Sequence, residues 1–89
     1  MAVFVIEDAS HAEWQGEFRQ LDDALAELRR RAASAWGSAP NRPPCSHWET
    51  CRREYAVIEF DDRVHPWRER NRTLMLTVDA AGAVWHVPA

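Results

Sequence analysis

The sequence predicts an α+β fold in the order β-β-α-β-β-β, one helix packed on a mainly antiparallel sheet. Three observations predict it. A single segment carries apolar residues at helical spacing, Leu21, Leu25, Leu28 and Ala32. Short apolar or alternating runs lie on both sides of that segment. The rear runs are joined by a tight connection, Ala80-Ala81-Gly82, of the kind that closes a hairpin. A helix on one face of an antiparallel sheet is the economical way to bury these elements, and it leaves the other face for solvent or association.

The first strand is expected at residues 2–6, a run rich in β-branched and aromatic types that ends at Glu7-Asp8-Ala9-Ser10. Residues 13–19 alternate, with Trp14, Gly16 and Phe18 on one side and Glu13, Gln15, Glu17 and Arg19 on the other. That is the period of a half-buried strand. Phe18 also fits the helical stripe, but Gly16 argues against so early a helix start.

Helix order is reinforced by charge. Asp22 and Asp23 occupy the first turn, and Arg29, Arg30 and Arg31 lie near the last, which complements the helix dipole. The arginine triplet therefore reads as helix finishing on solvated faces. Gly37 and Pro40 stop the helix, and Trp36 extends its stripe by one turn to cap the core.

Behind the long connection, residues 54–61 read as a strand, with Ala56, Ile58 and Phe60 as the expected core face because the opposite set ends in Glu59. Residues 62–72 are polar around His65-Pro66-Trp67. Residues 73–79 form the next strand, with Leu74, Leu76 and Val78 expected to face one way, and residues 84–87 complete the hairpin before Pro88.

At 89 residues, the chain has the length of one domain, spanning 1–89, with a core small enough that association would add useful stability. Hydrophobic residues make up 46% and charged residues 28%, which excludes the disordered class. The net charge of −3 argues against nucleic acid as a partner, since phosphate neutralisation needs a dense basic face. All eleven basic residues are arginine, which reads as codon bias in a GC-rich bacterial source. The absence of lysine excludes Schiff-base chemistry and a lysine-dependent phosphate loop. No apolar run reaches the ~18–20 residues of a membrane span, and residues 2–6 are too short for a signal sequence, so a cytoplasmic location is expected.

Function is looked for first in the stretch 40–53, which holds both cysteines, His47 and three of the five prolines. Cys45, His47 and Cys51, with His65 or His11 as a fourth ligand, form the only candidate zinc set. Their spacing lacks the paired ligands that let a tight turn grip one ion, so no cofactor is expected. A reactive thiol is a second reading: Arg42, Arg52 and Arg53 would favour thiolate, and His47 would serve as base. In a reducing cytosol the two cysteines are expected as free thiols, with a reversible Cys45–Cys51 disulfide geometrically possible.

The leading expectation is a non-enzymatic module that binds a protein partner or itself, in the second case as a homodimer. Its candidate contact residues are Arg42, Trp48, Arg52, Arg53, Trp67 and Arg68, because tryptophan and arginine dominate protein interfaces. These residues come from two connections at opposite ends of the 54–61 strand, so one site uniting them is not required by the pattern. Trp14 also lies in a polar setting that marks contact surfaces. A small anionic ligand held by the loop arginines is the weaker alternative.

Overall fold

In the computed structural model the described residues are 2–42 and 50–87. They form five strands and one helix: β1 (Ala2–Asp8), β2 (Glu13–Phe18), α1 (Leu21–Ala32), β3 (Arg52–Asp61), β4 (Arg68–Asp79) and β5 (Gly82–Trp85). The strands make one sheet in the order β2-β1-β3-β4-β5, and every neighbouring pair is antiparallel. The expected α+β order and one-helix architecture are therefore present. No helix among the described residues is long and apolar enough to cross a membrane.

Helix α1 packs Ala24 and Leu28, both fully buried, against Ile6, Tyr55, Val57, Leu76 and Val78 of the sheet. Trp36 packs onto this cluster from beyond the helix end, as its place on the stripe implies. The opposite sheet face carries a second cluster, Val3, Val5, Ile58 and Phe60, partly covered by Trp67. Strand β3 is central and buries both of its faces. The expected division of β3 is thus reversed: Tyr55 and Val57 meet the helix, whereas Ile58 and Phe60 lie on the side without one. Glu59 misled because it lies on the helix side of β3, opposite Phe4, and is only partly buried there.

Three β-bulges interrupt the ladders: one between β1 and β2, and two between β3 and β4, the second of which leaves Arg70 as an extra residue between Asn71, opposite Glu59, and Glu69, opposite Phe60. The β1–β2 register shifts between Ile6, opposite Gly16, and Glu7, opposite Trp14. Gln15 is the extra residue, and Trp14 moves to the helix-free face while Gly16 and Phe18 stay beside Ile6 and Phe4. The β3–β4 register shifts between Tyr55, opposite Leu76, and Ala56, opposite Leu74. Met75 is the extra residue there. Leu76 and Val78 consequently face the helix, while Leu74 turns to the other side and is 38% exposed. A period-2 reading assigned all three leucine and valine positions to one face, and a single inserted residue inverts that parity.

Strand β4 begins at Arg68, five residues earlier than the apolar pattern implies. Its first half, residues 68–72, is polar and exposed while it pairs with the end of β3. Arg72 pairs with Glu7 and Glu69 on this side. Arg31 departs from its expected solvated place. It is buried, donates to Glu27 Oε2 at 2.7 Å and to Gln15 Oε1 at 2.9 Å, and its guanidinium lies 5.1 Å from the centre of the Tyr55 ring.

Candidate functional site

The topology sends functional candidates to two separate ends of the sheet. Arg52 pairs with Asp79 at one end of β3, and Asp61 pairs with Arg68 at the other. Nine steps of about 3.3 Å place these ends roughly 30 Å apart. Arg52 and Arg53 therefore do not meet Trp67 and Arg68. Cys51 and His65 are separated in the same way and do not share an ion. Cys45, His47 and Trp48 lie outside the described residues. Among the described residues no group of three His, Cys, Asp or Glu side chains is arranged to hold a metal.

At the far end, the β2 bulge and the 62–67 connection bring three rings together. Trp14 stacks on Trp67 at 6.4 Å between centroids and 17° between planes. Phe60 tilts against both, at 5.4 Å from Trp14 and 5.9 Å from Trp67. The rings cover one end of the Val3, Val5 and Ile58 row, and with His65 and Pro66 they line an open cavity of about 360 Å³. Trp14 remains 52% exposed. Leu74 and Val84, at 38% and 58% exposed, lie on the same helix-free face, since Leu74 opposes Ala56 and Val84 opposes Thr77. Sequence reasoning marked Trp14 and Trp67 separately. Their contact depended on the bulge at Gln15, for which the chain carries no clear signal.

At the near end, the β1–β2 turn, the start of β3 and the loop after α1 converge on Asp8. This carboxylate is fully buried. It accepts from Arg53 Nη1 at 2.7 Å, from the Glu54 backbone N–H at 3.0 Å, from the Ser10 hydroxyl at 2.8 Å and from His11 Nδ1 at 2.6 Å. Burial alone would push its pKa up. The hydrogen bonds from Arg53, the Glu54 backbone, Ser10 and His11 outweigh that and hold it below the usual carboxylate value.

Arg53 is equally committed. It also donates to the carbonyls of Asn41 and Arg42, at 3.2 and 2.8 Å, and pairs with Glu13. Burial pulls its pKa down, but its bonds to Asp8 and Glu13 raise it on balance. Arg53 is therefore the clamp between the sheet and the loop after α1, with only 5% of its surface exposed. Arg52 is exposed beside it and pairs with Glu54, and Arg42 lends its carbonyl to the clamp. Asn41, unremarked in the sequence, completes the loop anchor. Its side chain donates to the carbonyls of Arg31 and Ser34 at 2.8 and 3.2 Å, closing groups the helix end leaves open.

Cys51 stands at this end, half-buried, and is disulfide-bonded. The expectation of free thiols is corrected for this residue. The one other cysteine of the chain is Cys45. His11 Nε2 lies 3.2 Å from Cys51 Sγ, so the base beside the sulfur is His11, from the β1–β2 turn, where sequence proximity had pointed to His47. An open cavity of about 560 Å³ adjoins them. Comparison of the chain with family models, with curated proteins and with solved structures finds no match.

Proposed function

We propose that the chain is a self-associating module that pairs through the sheet face its single helix leaves open. One observation carries this reading: Trp14 is more than half exposed, yet it is stacked in a three-ring cluster that continues a buried apolar row. Solvent-facing rings held in fixed geometry cost little ordering entropy on contact, and tryptophan is the commonest anchor of an interface. Leu74 and Val84 extend the apolar surface across the same face.

A second copy is the favoured occupant for two reasons. The domain measures 40 × 26 × 19 Å, so its broad face exceeds the ~800 Å² per partner of a standard interface. The face also carries both signs of charge, in Glu7, Glu69 and Arg72, which suits a two-fold, self-complementary contact.

Sedimentation equilibrium across a wide concentration range tests the reading. The wild-type protein is expected to shift from monomer to dimer, and Trp14→Glu is expected to weaken the dimer at least about tenfold, as truncation of an anchor does. A wild-type protein that stays monomeric at the highest attainable concentration would sink self-association.

A further inference from the structure

We propose that Cys51, His11 and Asp8 form a thiol–disulfide exchange site, in which reduced Cys51 attacks a disulfide that enters the adjoining cavity. This site is independent of the aromatic face, at the other end of the sheet.

The geometry is that of a nucleophile, a base and a group that orients the base. Cys51 Sγ is 3.2 Å from His11 Nε2. On the far side of the ring, His11 Nδ1 is 2.6 Å from Asp8 Oδ2. Asp8 is ionised, fully buried and held by Arg53 and the Glu54 backbone N–H, so it accepts and cannot donate. The Nδ1 proton therefore points to Asp8, which leaves Nε2 as the ring atom that faces the sulfur. Ser10 fixes the turn from its other side: its backbone N–H donates to Asp8 Oδ1 at 3.1 Å, and its hydroxyl oxygen lies 2.9 Å from the Arg52 carbonyl. The cavity of about 560 Å³ opens between this turn and the β4–β5 turn at Ala80 and Ala81, so a substrate can reach Sγ.

The chemistry balances as follows. In the reduced protein, the Cys51 thiol gives its proton to His11 Nε2, forming a thiolate and an imidazolium that Asp8 stabilises. The thiolate attacks one sulfur of a substrate disulfide. A protein–substrate S–S bond forms, the substrate S–S bond breaks, and the leaving thiolate takes the proton from His11. The protein's second cysteine then displaces the substrate from Cys51 and releases the second thiol. The substrate disulfide gains two electrons, and the protein is left with Cys51 disulfide-bonded, the state observed here. The substrate class is a small or exposed disulfide.

A purely structural disulfide needs no base on its sulfur, so the reactivity of reduced Cys51 separates the two accounts. Among the described residues, the charged or titratable groups around Cys51 are Asp8 at the end of β1, His11 of the β1–β2 turn, Arg52 of β3 and Asp79 at the end of β4. The experiment uses the full chain reduced with a phosphine. Alkylation of Cys51 by iodoacetamide is followed by the mass of its peptide at pH 8 and pH 6. An ordinary thiol slows roughly a hundredfold over that interval, because its thiolate fraction does. With His11 in place, the rate at Cys51 is expected to fall less than about tenfold, and folded His11→Gln is expected to restore the ordinary profile. With oxidised glutathione as the probe, reduced wild-type protein is expected to release two thiols and regain its disulfide, and His11→Gln to do so about tenfold more slowly. The ordinary hundredfold loss in the wild-type protein overturns the proposal. A folded His11→Gln protein that reacts as the wild type does also overturns it. The wild-type pH profile decides the matter by itself should His11→Gln fail to fold.

Discussion

The Tyr55 hydroxyl donates to the side-chain oxygen of Asn41 at 3.0 Å, with both residues fully buried. This bond ties the loop after α1 to the central strand, and Asn41 uses its amide nitrogen at the same time to close the helix end. Asn41→Ala leaves the Tyr55 hydroxyl and the Ser34 carbonyl without their partner inside the protein, while the Arg31 carbonyl keeps only the Ser34 N–H at 3.1 Å. The expected loss is about 2–3 kcal/mol, whereas Tyr55→Phe, which removes a single donor and keeps the ring, should cost about 1 kcal/mol. Urea denaturation of both variants checks the order. An Asn41→Ala protein within experimental error of wild type would show that water replaces the amide.

How far the chain was legible follows from the same region. The helix could be read because Leu21, Leu25, Leu28 and Ala32 repeat an unbroken period, and β3 because it is a continuous buried strand. The faces of β2 and β4 could not be read, since the extra residues Gln15 and Met75 invert the parity on which a strand pattern depends. The near-end site was half legible. Arg53 and Cys51 drew notice by their neighbours in sequence, but Asp8, His11 and Asn41 reach them only through pairing with residues at least ten positions away. Asp8 looked like a turn residue, and nothing local marks a turn carboxylate as a buried ion-pair partner.

The two stacked tryptophans should separate by their supports. Trp67 packs on the cluster of Val3, Val5, Ile58 and Phe60, while Trp14 rests on the other rings and is 52% exposed. Trp67→Ala is expected to destabilise the fold by about 3 kcal/mol, in the range of aromatic truncations in a core. Trp14→Ala should cost about 1 kcal/mol, the worth of its ring contacts. Thermal unfolding of the two variants provides the comparison. Equal losses would place Trp14 in the core and remove the basis for reading it as a contact residue.

Two turn residues offer opposite backbone tests. Ala12 has φ of 53°, in the left-handed region where a Cβ is crowded, and Gly82 has φ of 129°, which a side chain rarely adopts. Ala12→Gly is expected to raise stability by up to about 1 kcal/mol. Gly82→Ala is expected to lower it by about 1–3 kcal/mol, although open space surrounds the position a Cβ would take. Chemical denaturation of both proteins reads the pair, and a neutral Gly82→Ala would mean that the β4–β5 turn relaxes freely.

Acid stability should carry the signature of Asp8. Its pKa lies below the ordinary value of 3.8 in the folded protein, since bonds from Arg53, the Glu54 backbone, Ser10 and His11 together outweigh the desolvation that burial imposes. A carboxyl depressed on folding contributes stability that is present above the unfolded value and lost as pH falls through the folded one. The wild-type protein should therefore lose stability below about pH 4, and the difference between wild type and Asp8→Asn isolates this group from Glu27, Asp61 and Asp62, which are lowered as well. Arg53→Met removes the main counter-charge and leaves the carboxylate buried, at an expected cost of about 3–5 kcal/mol near neutral pH. Burial then dominates, the pKa of Asp8 rises above its unfolded value, and the sign of the dependence reverses: this group's contribution is present at low pH and lost as pH rises. Denaturant midpoints of Arg53→Met between pH 7 and pH 4, relative to the double variant Asp8→Asn with Arg53→Met, should climb as the medium is acidified. A midpoint difference that falls instead would show that His11 and the backbone bond alone keep Asp8 ionised.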